Sequence, residues 1–214
     1  MFHFLLLILF FLKEIPVSEA PVDPLSGCTY YLTLINNGLQ IKQGDTVYLD
    51  RIKSQVDANQ INQDQKSTEN TGKSEVDVFR VERLYIDPDG NKLIYGHHYL
   101  RPSETFHEPS RKFFPNELLR SPISGIAPLE AVKGICYVMD LSTYCKGRPK
   151  GAKEEDVFVC EFRIDKYAKS FEKIRKIQYS ICLKNFAFNF FERRYNPKRT
   201  CFVSFTLIST VGVI

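Results

Sequence analysis

The stretch HHYLRPSETFHEPSRKFFPNEL, residues 97 to 118, decides how this chain is read. It holds His97, His98 and His107, three of the four histidines, with Ser103, Glu104, Glu108 and Ser110 close by. Such a set invites a metal site or a hydrolytic site. Successive strand residues face opposite sides, so His97 and His98 cannot both reach one ion from a regular strand. His97, His107 and Glu108 have suitable ligand chemistry, but their spacing does not enforce a common centre. Ser103 and Ser110 lie outside any Gly-x-Ser-x-Gly elbow, and no phosphate-cradling glycine loop is present. A scaffold account covers the same residues. Pro102 ends a strand, and Ser103 or Thr105 can bond backbone N–H groups in the turn. Pro109 and Pro115 keep the chain extended, and Asn116 suits a turn or a helix N-cap. Arg101, Arg111 and Lys112 can pair with Glu104, Glu108 and Glu117.

Outward from that stretch, strand signals dominate. DTVYLDRI (45–52) alternates around Val47 and Leu49. VDVFRVERLYI (76–86) and KLIYGHHYL (92–100) flank DPDG, in which Pro88 presets φ, Asp87 caps the turn and Gly90 tolerates positive φ, so the pair predicts a hairpin. GICYVMDL (134–141) and DVFVCEFRI (156–164) are rich in β-branched and aromatic residues. Helical signals are weaker. Tyr167, Phe171 and Ile174 stand at i, i+4 and i+7 and predict a short helix, and PLEAV (128–132) predicts one helical turn. Residues 53–75 are polar and have little to bury, which predicts a long loop inserted between strands. The expected fold is mainly β, a small barrel or sandwich with short helices, a long polar insertion and a basic helical extension over 166–200.

The chain has 214 residues and a net charge of +4. Residues 163–199 carry eleven Lys/Arg against three Asp/Glu, a net +8, which leaves −4 elsewhere. A basic C-terminal region on a slightly acidic body points to an acidic partner such as nucleic acid, with a solvated face as the plain alternative. The six cysteines include no C-x-x-C pair, which argues against a zinc finger. Cys136 and Cys160 lie in apolar β-like runs and suit reduced, buried thiols. The alternative is a secreted, disulfide-bonded β protein. It rests on the even cysteine count and on the apolar run Phe4–Leu12, which has signal-peptide length and precedes a cleavage-like Ser18-Glu19-Ala20. That run is too short to span a membrane. The apolar end segments 1–24 and 201–214 differ from the middle.

The quoted stretch, with GDTVYL (44–49), FRVERLY (79–85) and GICYVMDLSTYCKGRPKGAKEEDVFVCEFRIDK (134–166), resembles the bromo-adjacent homology (BAH) domain. The resemblance rests on Gly44 to Tyr48, on Tyr99 to Thr105, on Arg111 and Phe113, and on Asn116–Glu117. It spans residues 25–200, with a core of about 40–165, and is similar in particular to the domain near the C-terminus of histone-lysine methyltransferases of the absent, small, or homeotic discs type. It implies a distorted β-barrel and a nuclear module that binds other macromolecules: a histone tail or nucleosome, other chromatin proteins and, through the basic region, DNA. It implies no catalytic residue, no cofactor and no metal in this domain. Some members hold methyl-lysine in an aromatic cage. Aligned on those, Tyr85 matches a cage tryptophan and Leu100 a cage tyrosine; Tyr85 and Tyr99 are the candidate pocket residues, Tyr99 being expected to pack inward. The candidate nucleic-acid contacts are Lys166, Lys169, Lys173, Arg175, Lys176, Arg193, Arg194, Lys198 and Arg199.

Overall fold

The computed structural model describes residues 19–51, 76–174 and 187–201. The polar insertion expected over 53–75 and both apolar ends, apart from residues 19–24 and 201, lie outside the described residues, as do Arg175 and Lys176. The strands are β1 (Glu19–Val22), β2 (Thr29–Tyr31), β3 (Thr33–Asn36), β4 (Leu39–Lys42), β5 (Thr46–Asp50), β6 (Val76–Ile86), β7 (Lys92–Leu100), β8 (Lys112–Phe113), β9 (Glu117–Pro128), β10 (Val132–Met139), β11 (Gly147–Pro149), β12 (Val157–Ile164), β13 (Phe171–Lys173), β14 (Phe188–Phe190) and β15 (Thr200–Cys201). One α-helical turn, α1 (Leu141–Tyr144), is capped by Asp140, whose carboxylate accepts the Thr143 N–H at 3.0 Å.

The main sheet runs β1-β2-β6-β5-β10-β12-β9-β7, and β7 pairs back onto β6. Six strands therefore close into a ring, with β10–β12 and β12–β9 parallel and the other pairings antiparallel. This agrees with the mainly β, barrel-like expectation. The predicted hairpin is present: Gly90, at φ +85°, and Asp87 close the turn, and the Asp87 carboxylate accepts the Asn91 N–H at 2.8 Å.

Two glycines show why the motifs are spelled as they are. Gly44 adopts φ +91°, and the next residue, Asp45, caps the Lys42 N–H at 2.8 Å, so the Gly-Asp opening is a turn that feeds β5 into the ring. At Gly96 a Cβ would sit 1.8 Å from the Arg80 carbonyl oxygen, so only glycine lets β7 approach β6 here.

The core divides between the faces of the sheet. Phe79 and Val81 pack with Val47, Leu49, Leu84, Ile94 and Leu129, whereas Val78 packs with Tyr99, Leu118, Val138 and Cys160. Fully burying such side chains stabilises by about 1.5–3 kcal/mol each relative to exposure.

Several local expectations are corrected. No helix forms over the Tyr167, Phe171 and Ile174 stripe; residues 165–170 make a turn and Phe171–Lys173 form β13 against β12. Ladder hydrogen bonds and the Phe113–Phe171 contact, with ring centroids 6.0 Å apart, outweigh the weak helical period. The long strand β9 is not among the expected strands. It accommodates Pro122 because three residues, Ser121 to Ile123, face the single His98 in an irregular step of the β7–β9 ladder. The hairpin β3–β4 is a further addition, and its Asn37-Gly38 loop has both φ angles positive, a type I′ pattern. Asn116 sits in a turn, the first of its two expected settings, and caps no helix; its amide donates to the Val157 carbonyl at 2.7 Å. The Thr105 hydroxyl donates to the Pro102 carbonyl at 2.8 Å instead of accepting an N–H.

Candidate interaction surfaces

The histidines of the quoted stretch are absorbed by packing. His97 donates from Nδ1 to Glu82 at 2.9 Å, which is possible because Glu82 is the extra residue of a bulge between Val81 and Arg83. Its Nε2 is buried without a partner, so the neutral ring is the form that fits. Burial, with Arg120 and Arg80 nearby, pushes its pKa down to about 4 against the pull of Glu82. His98 turns the other way, edge-on to Phe79. His107 lies 3.2 Å from the Thr105 hydroxyl and edge-on to Phe113. Among the described residues, no three His, Cys, Asp or Glu side chains gather as metal ligands.

The expected ion pairs of this stretch are replaced. Glu104 takes Arg51 at 2.7 Å and the Arg101 N–H at 2.7 Å. Glu117 is buried and accepts the Phe114 N–H at 2.9 Å; burial raises its pKa. Arg111 lies over Phe171, Phe162 and Phe113, its guanidinium carbon 3.9, 4.9 and 5.4 Å from the ring centroids.

Tyr85 and Tyr99 are not brought together. Both are buried. Tyr85 pairs with Leu93 near the turn of the β6–β7 hairpin, and Tyr99 pairs with Val78 near its open end. Six residues at about 3.3 Å each put roughly 20 Å between those positions. Leu100 is one residue further away. Tyr85 instead packs against Tyr30, with ring centroids 5.6 Å apart, and the Arg83 guanidinium carbon lies over the Tyr30 ring, 5.9 Å from its centroid.

The described basic candidates separate into two kinds. Arg199 is engaged: it pairs with Glu161 and lies 4.3 Å from the Phe114 ring centroid. Lys173 also faces Glu161, at 3.8 Å. Lys166 and Lys169 lie over Tyr167 and Phe106. Arg193, Arg194 and Lys198 are exposed. They belong to an extension, residues 187–201, that docks on α1 and β11. Phe191 N–H donates to the Lys146 carbonyl at 2.8 Å, Tyr195 N–H to the Cys145 carbonyl at 2.9 Å, and Lys150 N–H to the Ala187 carbonyl at 2.7 Å. Arg148 is the clamp. It stacks on Tyr144 at 3.7 Å, on Phe191 at 4.9 Å and on Tyr195 at 5.6 Å, and bonds Glu154 at 2.8 Å through both Nε and Nη2. The docking sets Lys146 and Lys150, which sequence spacing did not connect to the tail, at the same end of the molecule as Arg193 and Arg194.

The five described cysteines form no disulfide, and Cys136, Cys145 and Cys160 are buried. No described helix is long and apolar enough to cross a membrane.

A ring of strands that spends its histidines on packing, and presents aromatic and basic surface at its edges, has the form of a binding module. The chain belongs to the BAH domain family, whose family model matches residues 39–175. The extension 187–201 lies beyond that match. The chain is 42% identical over 188 residues to the histone-lysine N-methyltransferase ash1 of Drosophila melanogaster, covering 85% of this chain and 8% of that protein. It is 33% identical over 213 residues to the probable histone-lysine N-methyltransferase lin-59 of Caenorhabditis elegans, covering 87% of this chain and 16% of the relative. In structure it resembles the yeast Rsc2 BAH domain, with a TM-score of 0.56 and 26% identity over 77% of this chain and 63% of that one. The chain thus spans less than a fifth of the length of these curated methyltransferase relatives.

Proposed function

We propose that this chain is the chromatin-binding BAH domain of a longer nuclear histone-lysine methyltransferase. Its role is to hold the protein on nucleosomes, while methyl transfer belongs to other parts of that longer protein. The observation that carries this reading is the likeness to ash1 over 85% of the chain. The surface chemistry supports it: Lys146, Lys150, Arg193 and Arg194 are exposed at one end, beside the exposed ring of Phe190. Four cations can neutralise about four phosphates, so binding to nucleosomal DNA should be independent of sequence and should fall with salt with a log–log slope of about −3.6. The histone tails are the second contact expected of such a domain.

Gel shifts with reconstituted nucleosomes at two or more salt concentrations test this. The double variant Arg193→Glu/Arg194→Glu should weaken binding at least tenfold and flatten the salt slope by about two. Binding that is indifferent to salt and to these substitutions rejects the basic extension as the contact.

A further inference from the structure

Part of the stretch 97–118 also walls a groove of about 590 Å³, lined by Phe106, His107, Glu108, Ser110, Arg111, Lys169 and Phe171. Two loops build it. The loop after β7 supplies residues 106–111, and the β12–β13 turn supplies Lys169 and leads into Phe171. They are pinned to each other by the Phe106 N–H, which donates to the Ala168 carbonyl at 2.9 Å. Ala168 is held at φ +55°, a left-handed conformation that a residue with a Cβ adopts at a cost. The Asp165 carboxylate fixes the same turn by accepting the Lys169 and Ser170 N–H groups at 2.8 and 3.0 Å. The groove wall is therefore a shaped feature, not a loose surface.

Its chemistry is mixed and specific. Arg111 is stacked among three phenylalanine rings, and no carboxylate or carbonyl among the described residues accepts a hydrogen bond from its guanidinium. A stacked guanidinium keeps its in-plane N–H fork available, and that fork matches a carboxylate in two-point geometry. Lys169 places a second cation over Phe106, 5.8 Å from the ring centroid. Phe106 is 44% exposed and offers apolar contact on the same wall. Glu108 sets one negative charge in the lining, which disfavours a run of phosphates but can pair with a peptide N–H or a basic side chain. The volume is in the range of about 300–1,000 Å³ typical of ligand-sized sites.

We propose that this groove docks an acidic peptide segment of a partner protein. One carboxylate is gripped by Arg111 and Lys169, and a neighbouring apolar side chain lies against Phe106 and Phe171. This contact does not use the exposed cations Arg193 and Arg194, although β15 of the same extension pairs with β8 beside Arg111.

The test is an NMR titration of the ¹⁵N-labelled chain with a capped hexapeptide, acetyl-Ala-Leu-Glu-Glu-Phe-Ala-amide, beside the same peptide with both Glu replaced by Gln. The acidic peptide should shift the amides of residues 106–111 and 168–171, and the Gln peptide should bind at least tenfold more weakly. Lys169→Glu, at an exposed position, should cost a similar factor without altering the thermal midpoint. Arg111→Lys, which keeps the charge and loses the fork, should weaken the acidic peptide more than the Gln peptide. Absence of shifts in the groove at millimolar peptide overturns the proposal, as does equal affinity for the two peptides. So does a short DNA duplex that moves the groove resonances more than the acidic peptide does.

Discussion

The closed ring and the C-terminal extension are held by opposite means. The ring is tied by strand pairing on both sides of each of its six strands and by fully buried Phe79, Leu49, Leu84, Ile94 and Leu119. The extension is tied by two short strands, β14 on β11 and β15 on β8, by a few backbone bonds, by the Arg199–Glu161 pair and by the stacking of Arg148. Phe188 packs against the cluster of Phe114 and Tyr144, but Phe190 is 73% exposed, against none of Phe79. Cooperative burial gives the ring its stability. The extension gains little from burial and so can keep aromatic and charged groups in solvent, where a partner can reach them.

Substitutions that act on one region and spare the other will sharpen or break this contrast. The largest effect is expected at the ring seam. Gly96→Ala places a methyl group against the Arg80 carbonyl and the Phe79 ring, and should cost about 3 kcal/mol or more in urea unfolding. An unchanged midpoint would show that the β6–β7 contact can relax.

Acid should come next, through His97. Its folded pKa, pushed down to about 4, lies below the ordinary 6.5. The buried neutral ring therefore contributes stability that is fully present above pH 6.5 and is lost as pH falls from there toward 4. Each tenfold weakening of proton binding is worth about 1.4 kcal/mol, so the loss is up to about 3 kcal/mol. His97→Gln should flatten the unfolding midpoint across that window; an equally steep fall in the variant would assign the acid sensitivity elsewhere.

Gly147→Ala is the matching change in the extension. The new Cβ would sit 2.1 Å from the Asn189 carbonyl oxygen, where β11 meets β14. Residues 187–201 should lose hydrogen-exchange protection while the ring's unfolding midpoint moves by less than about 1 kcal/mol. A fall in global stability as large as that of Gly96→Ala would mean that ring and extension unfold together. The smallest effect is expected at the groove: Ala168→Gly removes the left-handed penalty and should stabilise by about 0.5 kcal/mol, since glycine's extra freedom in the unfolded chain offsets part of the gain. Destabilisation there would show that the alanine methyl group packs usefully.

Much of the ring was legible along the chain. The β6–β7 hairpin follows from DPDG between two apolar runs, and its bounds match the predicted 76–86 and 92–100. Val47 and Leu49 are buried as their alternation requires. Strand β9 was hidden because Pro122, Gly125 and two serines read as loop, and only the irregular step opposite His98 makes a strand with a proline possible. The β3–β4 hairpin does carry an Asn-Gly turn signal, but its strands are only four residues each, too short for a clear alternation. The false helix arose because a turn followed by a short strand happens to space Tyr167, Phe171 and Ile174 like one helical face.

The candidate surfaces were less legible, for a physical reason. Charge along a chain shows how many cations exist but not which are already paired. Arg199 and Arg148 look as free as Arg193 in sequence, yet Glu161 engages the first and Glu154 with three aromatic rings engages the second. Tyr85 and Tyr99 share a hairpin but lie at opposite ends of it.

Local chemistry was enough to specify the turns, the strand faces and the family, because a glycine at positive φ, a capping aspartate and period-two burial act over a few residues. Which cations stay in solvent, which histidine is kept neutral, and that residues 106–111 and 168–171 share one groove were decided only by tertiary packing, because each depends on a neighbour distant in sequence.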